Sequence, residues 1–347
     1  MFWPLDEKRR ASRKPVTQTK SGFLLVRPPP IGSFSENMSV IAKILCKTSA
    51  CGHCWVMRFL LASIVLSFPI IAAAAPALSP AEIVEQAPDA AWQNVSPDRL
   101  LIMKLGNGAR VVIELAPEFA PVHVANVVRL AHAHAWDGGA IIRVQDNYVV
   151  QWRVKDETAS LPAGFVSHPP AEYERLLSGL DYRPLGFPEA YAPEAGIASG
   201  WPVGSDGTQI WPAHCYGAVG VGRDMPPDTG DGRELYVVNG EAPRQLDRNL
   251  AVIGRVVMGM EFLGALPRGN GPLGFYTDAH QNVLIRSVTL AADLPQTVQK
   301  RVQVMRTDSP SFRAYLAARA GRRDPFFVSP ARGVTLCNVP VPVREKE

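Results

Sequence analysis

Cysteine is scarce in this chain: 347 residues hold five, and three of these, Cys46, Cys51 and Cys54, stand near the N-terminal end. That excludes a cysteine-rich zinc site or a disulfide-dense scaffold. Cys51-Gly-His-Cys54 has the spacing of a thiol–disulfide redox motif, but no strand–helix pattern surrounds it and it abuts an apolar run, so it lacks the setting that would make it catalytic. The sequence also has no His-Glu-x-x-His pair, no Gly-x-Ser-x-Gly nucleophile turn and no EF-hand spacing among Asp228, Asp231 and Glu234. Gly217-Ala-Val-Gly220-Val-Gly222 is rich in glycine yet lacks the strand-to-helix setting of a nucleotide loop. His132 and His134 lie two apart on a helical pattern, diverge by about 200° and cannot easily share a metal. The expectation is a protein that uses neither metal nor cofactor.

An excess of positive charge is also missing from the body. The formal charge is +4, but of 36 Lys+Arg and 32 Asp+Glu, residues 1–77 carry 10 and 3, leaving 26 basic and 29 acidic residues for 78–347. Such a body offers no electrostatic footprint for nucleic acid, whose phosphates are met by Lys and Arg. The basic leader has its own explanation. Met57-Arg58, the apolar stretch Phe59–Ala77 and the small residues at its end form the pattern of a secretory signal peptide over 57–77. Residues 1–56 then read as a misassigned start or a leader, and the mature protein as exported, periplasmic or secreted. The alternative is an uncleaved anchor over 59–77, marginal for a membrane span because it contains Pro69; membrane contact is expected only through that segment. In an exported protein, Cys215 and Cys337 are either a disulfide or two buried thiols, and both readings stand at this point.

With 47% hydrophobic residues the chain is globular. Residues 78–99 are an Ala/Pro-rich lead-in. Leu101, Met103 and Leu105 then alternate against Val111, Ile113 and Leu115 across Asn107-Gly108, a turn pair that tolerates positive φ. A helix is predicted from Pro121 to about His134, with Val124, Val127, Val128 and Ala131 on one face to cap a barrel end. Strand patterns over 218–221, 235–238, 250–257 and 284–290, separated by turn-rich segments, argue for an antiparallel barrel. Residues from about 156 to 213, rich in Pro, Gly and Tyr with weak periodicity, read as a long loop insertion packed on that barrel. Residues 294–347 form an extension: a helix opening at Ser309-Pro310 with Phe312, Tyr315, Leu316 and Ala320 on one side, then an extended Cys337–Pro342. The protein is expected to be monomeric.

The stretch Ala140-Ile-Ile-Arg143-Val-Gln-Asp-Asn-Tyr148-Val-Val-Gln151-Trp152, following that hairpin and helix, resembles the cyclophilins, barrel-shaped peptidyl-prolyl cis/trans isomerases. That family reads Phe-His-Arg-Val, then an aromatic, then a Gln three residues later; this chain supplies Arg143, Val144, Tyr148 and Gln151 in register, with Ile141-Ile142 for the Phe-His pair. Further blocks follow in order: His214-Cys-Tyr-Gly217-Ala-Val-Gly-Val221-Gly-Arg223, Glu234-Leu-Tyr236-Val237, Leu246-Asp247, and Val252-Ile-Gly254-Arg-Val256-Val-Met-Gly-Met260. The resemblance covers residues 100–293 around the insertion. It implies a mainly β fold: a closed antiparallel barrel capped by two helices.

Prolyl isomerisation needs no proton transfer and no nucleophile. The barrier is the amide resonance lost on rotation, about 18–20 kcal/mol, and a catalyst has only to bind the twisted amide better than the planar forms. The resemblance assigns Arg143 as the catalytic donor to the prolyl nitrogen, which regains a lone pair as the amide twists. It gives Gln151 the role of gripping the substrate carbonyl, with Tyr148, Val149, Val221, Tyr236 and Leu246 lining the slot for the prolyl ring. Glu234 takes the position of a second substrate-gripping glutamine. The chain departs from the family there, and also at Tyr236 for Phe, Gln245 for Trp, Leu250 for His and Arg223 for Asn. Two readings follow: an isomerase acting on proline-containing polypeptides during folding of exported proteins, or a non-catalytic module or chaperone holding proline-containing segments in the same groove.

Overall fold

A computed structural model of the chain describes residues 77–296, 299 and 301–346. The leader, Cys51, Cys54 and all but the last residue of the proposed signal peptide lie outside the described residues. In chain order the elements are α1 (Pro80–Glu85), β1 (Trp92–Asn94), β2 (Leu100–Leu105), β3 (Arg110–Leu115), α2 (Pro121–His132), β4 (Ala140–Val144) and β5 (Val149–Arg153). Then come β6 (Arg175–Leu176), β7 (Tyr182–Pro184), β8 (Glu194–Ala198), β9 (Trp201–Ser205), β10 (Gln209–Pro212), β11 (Ala218–Val221) and β12 (Glu234–Val238). The chain finishes with β13 (Val252–Met258), α3 (Met260–Gly264), β14 (Val283–Leu290), β15 (Arg301–Met305), α4 (Pro310–Ala320) and β16 (Val343–Lys346).

Eight antiparallel strands close into a barrel in the order β11-β12-β5-β4-β14-β2-β3-β13. The alternation expected of the first hairpin is what fills it: Leu101, Met103, Leu105, Val111, Ile113 and Leu115 all lie in the interior cluster. The turn joining β2 and β3 differs from a two-residue Asn-Gly turn. Leu105 N–H donates to Ala109 O at 2.9 Å, and only Gly108 has positive φ (89°), a three-residue loop with its glycine in the left-handed region. Helix α2 sends Val124, Val127, Leu130 and Ala131 into the barrel core, and α3 sends Leu263. These are the two helices expected to cap the barrel. The N-terminus of α2 is capped from the insertion: the Glu172 carboxylate accepts the N–H groups of Val122 and His123 at 3.0 Å each.

The insertion is more ordered than the loop that its weak periodicity suggested. Within it, β6-β10-β9-β8-β7 form a five-stranded antiparallel sheet. Its strands span only two to five residues, too short for alternation to show in the sequence. Arg255 of β13 fastens the sheet to the barrel: its guanidinium stacks 4.4 Å from the Trp201 ring, donates to Gly200 O at 2.8 Å and pairs with Glu114 at 2.7 Å. Lead-in and extension belong together as well. β1, β15 and β16 form a three-stranded sheet, and a second core gathers Trp92, Ile197, Ala213, Cys215, Phe312, Tyr315, Leu336 and Val339. The Cys215–Cys337 disulfide closes this core across a sequence separation of 122. Among the described residues no helix is long and apolar enough to cross a membrane.

Candidate active site

Strand β4 carries the arginine, and an irregularity aims it. Ile141 and Val144 both face the barrel interior, which an unbroken two-residue alternation does not allow. The register between β4 and β5 shifts between Ile141 and Arg143, so that Arg143 faces outward opposite Gln151 while Val144 turns back into the core. A bulge of this kind re-aims one side chain without breaking the sheet. The loop after α3 completes the seat: Gly269 N–H donates to Val144 O at 2.9 Å and Tyr276 N–H to Ile142 O at 3.0 Å.

The Arg143 guanidinium lies between two aromatic faces, 5.5 Å from the Tyr148 ring centroid and 5.2 Å from that of Phe275. Its Nε donates to Leu273 O at 2.6 Å, one Nη to Gln151 Oε1 at 2.9 Å, and the other to Gln145 Oε1. Three of its five N–H groups are thereby engaged, and two have no hydrogen-bond partner among the described residues. Gln151 in turn donates through Nε2 to Glu234. Arg143, Gln151 and Glu234 thus form one polar row across β4, β5 and β12. Partial burial lowers the Arg143 pKa from its ordinary value, with Tyr148 and Glu234 acting in the opposite sense. Burial raises the Glu234 pKa above 4.5, partly offset by the bond from Gln151.

Beside the row lies a small groove of about 120 Å³ lined by Arg143, Tyr148, Val149, Gln151, Gly222, Arg223, Tyr236, Leu246 and Leu250. Six of the residues assigned from the sequence therefore meet here: Arg143, Gln151, Tyr148, Val149, Tyr236 and Leu246. Glu234 reaches the groove only through Gln151 and faces a neighbouring polar cavity with Arg223, Asp228 and Arg233. Val221 does not line the groove. It is wholly buried in the barrel core, because Val219 and Val221 share the inner face of β11 while Gly220 and Gly222 take the outer one. The glycine run is thus explained without a phosphate: a Cβ at Gly220 would overlap the Tyr236 hydroxyl, so the missing side chain makes room for the ring that floors the groove.

Sequence reading missed Phe275, Leu273 and Gln145, which hold the arginine. Phe275 and Leu273 come from a Gly/Pro-rich loop whose local pattern carries no signal of contact with β4. It also missed His214, wholly buried, whose Nε2 lies 2.8 Å from the Tyr236 hydroxyl.

Comparison with known proteins agrees with this geometry. The family model for the cyclophilin type peptidyl-prolyl cis-trans isomerase/CLD matches residues 100–290. A probable peptidyl-prolyl cis-trans isomerase of Brucella suis biovar 1 is 25% identical over 174 residues, covering 50% of this chain and 74% of the relative. The counterpart in Brucella melitensis biotype 1 matches equally, 25% over 174 residues with the same coverage. Among solved structures, the cyclophilin AquaCyp293 from Hirschia baltica superposes with a TM-score of 0.55 at 24% identity, over 70% of this chain and 92% of that one. A barrel of this topology, an arginine bulged out of it beside an apolar slot, and a family match over more than half the chain lead to one assignment: this protein belongs to the cyclophilin-type peptidyl-prolyl cis-trans isomerases.

Proposed function

We propose that the groove binds Xaa-Pro segments of exported polypeptides and that Arg143 accelerates rotation about the prolyl bond by favouring the twisted amide. The observation that carries this reading is the bulged, doubly stacked Arg143 with two N–H groups unengaged at the mouth of an apolar slot. The slot formed by Val149, Tyr236, Leu246 and Leu250 takes the prolyl ring. Gln151 keeps one amide N–H for the substrate carbonyl after donating the other to Glu234. Gln145, Gln151 and Leu273 O hold the guanidinium in place, so its charge meets the developing lone pair without reorganising. Cis and trans ground states, whose prolyl nitrogen is planar and lacks that lone pair, gain less from the same contact.

Exchange spectroscopy on an Xaa-Pro peptide tests this reading with wild type and Arg143→Ala. Catalysed exchange that disappears in the variant supports it; exchange that survives Arg143→Ala removes the arginine from the mechanism. The binding-module reading is favoured by the bonds that already occupy three Arg143 donors, and peptide shifts without any exchange would select it. Export is supported by the Cys215–Cys337 disulfide, since such bonds persist in oxidising compartments. N-terminal sequencing of the native protein tests it: a first residue within about 73–78 fits a cleaved signal peptide, and residues preceding Met57 contradict one.

A further inference from the structure

Tyr236 differs from a phenylalanine by one hydroxyl, and a buried hydroxyl needs a partner. That partner begins a line of side chains leading away from the groove. Asp247 Oδ1 accepts both the His214 backbone N–H at 2.8 Å and its Nδ1–H at 2.9 Å. With the proton on Nδ1, Nε2 has a free lone pair and accepts the Tyr236 O–H. Burial holds the Tyr236 pKa well above 10, so the phenol keeps the proton it donates. The other Asp247 oxygen accepts Arg244 Nε at 2.9 Å. One Arg244 Nη donates to Glu189 Oε1 at 3.2 Å, and Glu189 Oε2 accepts the Leu336 N–H at 3.3 Å. Leu336 precedes Cys337, whose disulfide returns to Cys215, the neighbour of His214. The circuit is closed.

Three charged side chains, Asp247, Arg244 and Glu189, are only 3–6% exposed along this path. A buried ionic chain is a poor source of stability compared with an apolar one of equal volume. Its value lies in directed geometry. Arg244 stands two residues from Leu246, and Tyr236 and Leu246 are two walls of the slot, so the same chain places both. It draws its outer end from the insertion, through Glu189, and from the C-terminal extension, through Leu336.

We propose that His214, Asp247, Arg244 and Glu189 are positioning residues: a buried chain through which the insertion and the C-terminal extension fix Tyr236 and Leu246 as walls of the prolyl slot. The proposal rests on the reading of the groove as the Xaa-Pro site. It is tested by a double-mutant cycle of Tyr236→Phe, which removes only the hydroxyl, with Glu189→Gln, which touches no groove residue. Glu189→Gln is expected to raise KM for an Xaa-Pro peptide about tenfold, with kcat within about twofold of wild type, because a slot wall binds ground and transition states alike. In the Tyr236→Phe background the same substitution is expected to have a smaller effect, the remainder reaching Leu246 through Arg244. Additive effects, or an unchanged KM with a lowered Tm, would overturn the proposal. If Glu189→Gln does not fold, nitrogen-15 NMR of the wild-type His214 ring decides: protonated Nδ1 with free Nε2 supports the chain, and the opposite tautomer sinks it. Wild-type turnover with an additive cycle rejects the chain alone. Absent turnover rejects the isomerase reading, and the cycle is then read in peptide Kd; absent binding rejects both.

Discussion

Replacing Arg143 by lysine keeps the charge and removes the fork. Arginine reaches three acceptors at once, Leu273 O, Gln151 and Gln145, while its guanidinium carbon lies 5.5 and 5.2 Å from the Tyr148 and Phe275 ring centroids. An ammonium is a single point on a flexible stem and cannot hold both glutamines while facing the slot. Removing a preorganised donor from a developing charge typically costs about 10²–10³ in rate, and a displacement of about 1 Å can cost about 10². Arg143→Lys is therefore expected to lower kcat/KM by about 30–100-fold, roughly 2–3 kcal/mol of transition-state stabilisation, and Arg143→Ala by about 10²–10³. The fold loses less. The lost bonds are half-exposed, and solvent can replace them, so about 1 kcal/mol of stability goes, a Tm change of about 2–4 °C for a protein of this size. The assay is exchange spectroscopy of an Xaa-Pro peptide beside a thermal melt. A lysine variant within about threefold of wild type would show that fork geometry is irrelevant, and a Tm fall of more than about 10 °C would make the arginine a scaffold residue.

Other consequences are open to direct measurement. Burial raises the Glu234 pKa, so its charged form is penalised in the fold, and stability falls as pH rises from the ordinary 4.5 through the folded value. Glu234→Gln is expected to remove that fall, gaining Tm above this window and nothing below it; wild type gaining stability relative to the variant as pH rises would contradict the sign. Gly220→Ala pushes a Cβ into the Tyr236 hydroxyl and is expected to cost about 1–3 kcal/mol and weaken peptide binding; unaltered Kd and Tm would mean that the ring has room to move. Because the Cys215–Cys337 bond closes a loop of 122 residues, Cys337→Ser is expected to lose up to about 4–5 kcal/mol, and a melt unchanged by the substitution would show that the tail docks without the bond.

Sequence alone determined the barrel, because its evidence is local. Alternating apolar residues from Leu101 to Leu115, the Pro121 helix and the short runs at Ala218, Leu235, Val252 and Leu284 each carry their periodicity within a few residues, and the order of the blocks around Arg143 and Gln151 supplied the family. Tertiary structure alone decided which way the site residues point. The register shift that turns Arg143 outward depends on pairing with β5, and the inward face of Val221 depends on its partners β12 and β13. The strands of the insertion are too short to announce themselves, and its role in capping α2 through Glu172 has no sequence signature. His214, Asp247, Arg244 and Glu189 look in sequence like four unrelated polar residues. They meet because folding buries them together in one place, where each polar group must find its partner inside the protein, among the other three and neighbours such as Tyr236 and Leu336.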